Sequence, residues 1–307
     1  MSPEMGDRTI FWIGFNVLVI VMMALDLGVF HKKTHKVPVK EAVIWTIVWI
    51  SLALIFNALI YFDMGKIKAL EFLTAYVIEY SLSVDNIFVF ILIFSFFKVS
   101  DKYQHKVLFW GILGALIMRA IFIFAGVALI NRFHWIIYIF GGFLVYTGMK
   151  MLFHQGVDIE PANNPVVKFA RKFLPVTDTM HEDKFFIKKD SRQYATPLFL
   201  VLLIIESSDL IFAVDSIPAV LAISQDRFIV YTSNIFAILG LRSLYFAISG
   251  IMEYFRFLKI GLAFVLTFVG VKMCISSFLE IPVTYSLLII VSILTISIVA
   301  SVVIKKK

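Results

Sequence analysis

The 307-residue chain has a single cysteine, Cys274. No internal disulfide can form, and a paired-thiol redox centre or a sulfur-rich zinc site has no second sulfur to draw on. Charge is scarce as well: 16% of residues are Asp, Glu, Lys or Arg, against roughly a quarter in an ordinary soluble domain. The six histidines (His31, His35, His105, His134, His154, His181) fall between apolar runs or at their ends, so no imidazole stands inside a run as ligand or base. None of the 15 glycines builds a phosphate loop or a dinucleotide fingerprint. Residues 1–9 set Glu4 and Asp7 against Arg8, which is not the basic leader of a cleaved signal.

What is present is apolar. Hydrophobic residues make up 61% of the chain, 32 residues are Phe, and the mean hydropathy is +0.93. That composition predicts an all-α, polytopic membrane protein with one integral membrane domain over 1–307. Runs of roughly 20 apolar residues are long enough to span a bilayer. Nine are expected, at about 10–30, 42–62, 70–97, 107–130, 134–154, 196–222, 228–252, 257–279 and 283–304. The net charge of +7 would point to nucleic acid in a soluble protein; here it sorts by loop instead. With the N-terminus outside, 19 of the 28 Lys and Arg fall on inside segments and five (Arg8, Lys66, Lys68, Arg132, Arg227) on outside ones. This asymmetry predicts a multi-pass plasma- or inner-membrane protein, N-terminus out and C-terminus cytoplasmic. The one long connection, 155–195, mixes both signs of charge with Pro161, Pro165 and Pro175, and reads as a cytoplasmic loop. Phe185-Phe186-Ile187 within it could form a short strand or an interfacial turn.

The sixth run contains Glu206-Ser-Ser-Asp209-Leu-Ile-Phe-Ala-Val-Asp215-Ser216-Ile-Pro218. Each acid at a bilayer centre costs about 3 kcal/mol even on lenient scales, so three of them must be paired, hydrated or loaded with a cation. A second version lies upstream, Glu79-Tyr-Ser-Leu-Ser-Val-Asp85-Asn86. Val84-Asp85-Asn86-Ile87 matches Val214-Asp215-Ser216-Ile217, Arg119 corresponds to Arg242, and Gly148-Met149-Lys150-Met151 matches Gly270-Val271-Lys272-Met273. The same three features recur in the same order in halves 70–154 and 196–279. Each half has three helices, so the second must enter the membrane from the opposite side. This predicts an inverted repeat with its site at the interface of the halves.

Glu206 and Asp209 share a helix face. Asp209 and Asp215, like Glu79 and Asp85, are about 240° apart around a straight helix and would not converge. Pro218 could free carbonyls by breaking its helix, and an irregular backbone near Asp215 and Asp85 is expected on that ground. Carboxylates, carbonyls, the Asn86 amide and the Ser216 hydroxyl are hard oxygen ligands, suited to Mg²⁺, Ca²⁺ or Mn²⁺. The competing explanation is that the acids only pair with Arg119, Arg242, Lys150 and Lys272. Six intramembrane acids (Asp26, Glu79, Asp85, Glu206, Asp209, Asp215) against four bases leave two negative charges for a divalent ion or protons to balance. Asp26, near the inner end of the first run, belongs either to the site or to the membrane boundary. Gly111, Gly114, Gly141 and Gly142 read as helix-packing contacts. Ser207, Ser208, Asn57 and Asn234 read as interhelical hydrogen bonders.

At these motifs the chain resembles the TerC family, closest to its Alx branch, which has also been labelled a group of membrane-bound redox modulators. Glu79 to Asn86 and Glu206 to Pro218 carry the resemblance, with Tyr194-Ala195-Thr196-Pro197-Leu198 and Thr232-Ser233-Asn234 to Arg242. It covers essentially the whole chain. The resemblance implies an inner-membrane protein of the wider lysine-exporter superfamily that exports Mn²⁺. One cysteine and no cofactor motif lend the redox label no support. The expected function is export of a divalent cation, Mn²⁺ first, from the cytoplasm, not an enzymatic reaction. The expected site is Glu79, Asp85, Asn86, Glu206, Asp209, Asp215 and Ser216, with Asp26 as a further candidate. Clustered carboxylates can also exchange a metal for protons, so proton antiport is a coupling mode open to it. No cofactor is expected, since Mn²⁺ is cargo; the partners are that cation and the lipid bilayer, with no nucleic acid and no protein partner named. The alternatives are an intramembrane metal-dependent hydrolase using the same acids, and a non-transporting scaffold acting through 155–195. The topology is open to test. In a Cys274→Ser background, a cysteine introduced at Asn163 should resist an impermeant thiol reagent in intact cells and react in inverted vesicles; labelling from outside would overturn the nine-span, N-out arrangement.

Overall fold

A computed structural model describes residues 3–30, 38–133, 135–153, 169, 172, 174–177, 182–189, 192–249, 257–279 and 281–304, apart from the side chains of 3–8, 10 and 25–30. The chain divides into two units, residues 1–36 and 37–307. Among its described residues the first holds one helix, α1 (Pro3–Phe30), with an apolar stretch at Phe11–Ala24. Asp26 falls on α1, but its side chain lies outside the described ones.

The second unit is built from α2 (Val39–Met64), α3 (Lys66–Phe96), α4 (Asp101–Arg132), α5 (Ile136–Phe153), a hairpin of β1 (Phe186–Lys189) and β2 (Arg192–Ala195), α6 (Pro197–Leu221), α7 (Arg227–Leu239), α8 (Leu241–Ser249), α9 (Leu258–Ile275) and α10 (Val283–Val303). Seven of these helices are long and apolar enough to cross a membrane. The count is eight if α7 and α8, which meet at a 40° bend, form one span. The protein is therefore an all-α, multi-pass membrane protein; its apolar outer faces, such as Ile211, Phe264 and Ile296, are exposed as lipid contact requires.

α3 is the central helix: it packs against α2, α6, α7, α8, α9 and α10. Gly65 at φ 87° makes the tight turn that feeds it, a backbone conformation available to glycine at little cost. α4 lies along α6, with Gly111 against Ile205, Gly114 against Glu206 and Gly126 against Leu221. The closest pairing joins α5 and α9, where backbones touch. A Cβ on Gly270 would stand 2.6 Å from the Gly141 carbonyl oxygen, and one on Gly148 would stand 2.7 Å from that of Ala263. Aligning the two Gly-x-Lys-Met motifs sets Gly148 on Gly270 and Gly141 on Ala263, so the Gly141–Gly270 contact recurs as Gly148–Ala263 with the helices exchanged. Gly142, also expected to pack, faces open space.

The backbone near the acids corrects the expectation of an irregular site. α3 and α6 run as unbroken helices through Asp85 and Asp215. Pro218 lies three residues before the end of α6, so its missing N–H costs one hydrogen bond in the last turn and breaks nothing further. The bend is instead at Gly240, between α7 and α8. Ser208, expected to bond between helices, donates instead to the Ile204 carbonyl of its own helix, and Ser207 donates to the same carbonyl. Asn57 Oδ1 and both polar atoms of Asn234 have no hydrogen-bond partner.

Phe185-Phe186-Ile187 leads into β1, which pairs antiparallel with β2 in the register Phe186 to Ala195. The hairpin is fastened to the helices by Phe186 on Phe199, with ring centroids 4.5 Å apart, and by Lys106 to Asp183 at 3.0 Å. The glycine contacts between α5 and α9 make a stability prediction. Gly270→Leu should lower the stability of the purified protein by about 1–3 kcal/mol through overpacking, read as a fall in melting temperature in detergent, whereas Gly142→Leu should leave it unchanged.

Candidate functional site

The five described acids of the two motifs do not form one cluster. They divide according to helix face, as the spacing requires. Glu79 of α3 and Asp209 of α6 turn toward α4 and meet Arg119, which is 1% exposed. Arg119 forms an ion pair with Glu79; its Nη2 donates to Asp209 Oδ1 at 3.2 Å and its Nη1 to Ser216 Oγ at 3.2 Å. A guanidinium suits this place because its planar fork serves several oxygens at once. With both carboxylates and the arginine buried, each charge depends on the others for the solvation that water would otherwise supply.

Glu206 is one turn from Asp209 on the same face of α6. Its carboxylate is half-buried and occupies the space that a side chain at Gly114 of α4 would fill. It therefore lies along α4 and not with Asp215.

Asp85 and Asp215 face the other way. They line one cavity of about 290 Å³ together with Leu82, Asn86, Thr147, Lys150, Met151, Phe212, Ser216, Lys259 and Leu266. Thr147 Oγ1 of α5 donates to Asp215 Oδ1 at 3.2 Å. Ser216 reaches both groups, since it accepts from Arg119 and lines the cavity. Of the expected site residues, then, the structure brings Asp85, Asn86, Asp215 and Ser216 together and assigns Glu79 and Asp209 to Arg119. Among the described residues no group of three or more His, Cys, Asp or Glu is placed to hold a metal ion. A cation in the cavity would draw on two carboxylates, the Asn86 amide, the Ser216 and Thr147 hydroxyls and water, which are hard oxygen donors. The volume leaves room for an ion that keeps part of its water shell.

Two cavity residues, Thr147 and Lys259, escaped the sequence reading, whereas Lys150 was already a candidate partner of the acids. Thr147 stands three residues before Lys150 and so shares its helix face, a signal that was available. Lys259 falls on an inside segment in the sequence, and only the packing of α9 against α3 and α6 directs it into the cavity.

The comparisons bear on such a chain of membrane helices with paired acidic motifs. Residues 64–307 match the model of the integral membrane protein TerC family. The chain belongs to the TerC family. An uncharacterised membrane protein of Myxococcus xanthus is 52% identical over 97% of this chain and 93% of its own length. The protein named Alx in Salmonella typhi, a proposed membrane-bound redox modulator, is 46% identical over 94% of this chain and 92% of its own. An uncharacterised membrane protein of Rickettsia bellii is 43% identical over 95% and 97%. No solved structure matches. The motifs that carried the resemblance thus lie in a TerC protein along most of its length.

The buried arginine makes the prediction here. Arg119→Met strands two carboxylates in the interior and should cost about 3–5 kcal/mol, seen as loss of monodisperse protein on size exclusion. Adding Glu79→Gln and Asp209→Asn to Arg119→Met should recover much of it, because the charges then leave together.

Proposed function

We propose that this TerC protein carries a divalent cation across the membrane, with Asp85 and Asp215 as the ligands that engage it. The observation that carries the reading is the cavity itself. Two carboxylates from separate membrane-spanning helices line one space with an amide and hydroxyls, while Glu79 and Asp209 are paired with Arg119. Carboxylate, amide and hydroxyl oxygens that face one space are hard donors of the kind a divalent cation engages. A cavity with few protein ligands suits a carrier, since cargo must also leave. Mn²⁺ as that ion, and export from the cytoplasm as the direction, rest on the family resemblance. Exchange for protons is the coupling that two neighbouring carboxylates can support. The redox wording in relatives' names describes those proteins; here the thiol of Cys274 has no second cysteine in the chain to pair with.

Binding and flux test the reading. Asp85→Asn and Asp215→Asn should each abolish Mn²⁺ flux into inverted vesicles or proteoliposomes while the protein stays inserted, because removing an intramembrane charge makes insertion easier. By calorimetry on detergent-purified protein, each should lose most of its Mn²⁺ affinity, and the double variant should be barely worse than either single, as residues on a shared ligand are not additive. Half the stoichiometry at unchanged affinity in each single variant would mean two separate sites and would sink the shared one.

A further inference from the structure

The same cavity that holds Asp85 and Asp215 also holds two ammonium groups, Lys150 from α5 and Lys259 from α9. Both lysines face the same space as the two aspartates. Neither lysine is in a direct ion pair with either aspartate. The cavity without cargo therefore carries two negative and two positive charges and is neutral. A divalent ion on the carboxylates would leave both ammonium groups uncompensated beside it. Like charges so placed repel one another. Each lysine stem has four methylenes and can withdraw its head without moving its helix. Lys150 is exposed and Lys259 half-buried, so both have somewhere to go.

We propose that Lys150 and Lys259 are tethered counter-cations of the Asp85–Asp215 pair, which neutralise the empty site and which a cargo ion must displace. This rests on the cation-carrier reading above and adds the basis of its selectivity. The work of displacing the lysines is the same for any cargo, whereas the attraction of the cargo to the aspartates grows with its charge. A divalent ion clears that threshold and a monovalent ion does not. The lysines thus weaken cation binding and exclude Na⁺ and K⁺, and their charge returns to the cavity when cargo leaves. Lys272 supplies a control from within the chain. It occupies the position of Lys150 in the second Gly-x-Lys-Met motif, but its ammonium donates to Ser286 Oγ of α10 at 3.0 Å and does not line the cavity.

The test is Mn²⁺ calorimetry on the full-length detergent-purified protein, with NaCl or an equal ionic strength of choline chloride. Lys150→Met and Lys259→Met should each tighten Mn²⁺ binding by roughly tenfold or more, with stoichiometry unchanged. Lys272→Met, which lies outside the cavity, should bind as the unaltered protein does. NaCl should compete with Mn²⁺ only once both cavity lysines are replaced. Lys→Gln versions serve where a Met variant is not monodisperse. Unchanged or weaker binding in the Lys150 and Lys259 variants would overturn the proposal, as would an equal shift in Lys272→Met. If the unaltered, monodisperse protein binds no Mn²⁺, the carrier reading falls and takes this proposal with it; if it binds and the lysine variants do not differ, only the lysine proposal falls.

Discussion

A buried arginine bound to two buried carboxylates is the constraint on which the rest of the site depends. Arg119 of α4 cannot be left unpaired in an apolar interior, and neither can Glu79 of α3 or Asp209 of α6. Their pairing draws three helices together and fixes the rotation of α3 and α6 about their axes. Once Glu79 and Asp209 face α4, residues six positions later must face elsewhere, because six residues turn a helix by about 600°, or 240° net. Asp85 and Asp215 are thereby presented to the cavity beside α5 and α9.

Close helix packing does the remaining positioning. Glycines at 141, 148 and 270 let α5 and α9 approach until carbonyl oxygens meet Cα atoms, which places Thr147, Lys150 and Lys259 opposite the aspartates. Near the ends of α4 and α6 the packing is dry: Ile123, Val127, Ile130, Ile217, Val220 and Leu221 belong to one apolar cluster. A polar clamp sits at the start of α3, where Glu71 takes a hydrogen bond from Ser224 at 2.5 Å and Lys68 bridges Glu71 and Asp226. The polar cavity, the apolar cluster and the clamp belong to one bundle.

Much of this was legible in the sequence, and the reasons are specific. Hydropathy identified the helices because a bilayer permits little else. The cost of intramembrane charge was enough to single out Glu79, Asp85, Glu206, Asp209 and Asp215. The six-residue spacing showed that each motif would split between two faces. The spacing could not say what each face would meet. Arg119 and Arg242 match as motif features, yet only the fold shows Arg119 gathering an acid from each half. Pro218 looked like a helix breaker, but its position three residues from the end of α6 makes it harmless, while the real bend falls at Gly240.

By itself, then, the sequence determined the class of the protein and marked most of its membrane helices and the acids within them, since these follow from local rules: an apolar run must be a helix in lipid, and a charge in such a run must have a partner. Which partner each charge takes was decided only by the tertiary structure. Partners such as Arg119 and Asp209, or Thr147 and Asp215, lie 90 and 68 residues apart along the chain. Their meeting depends on how α3, α4, α5, α6 and α9 rotate and cross, which is a property of packing between helices and is not encoded in the period of any one of them.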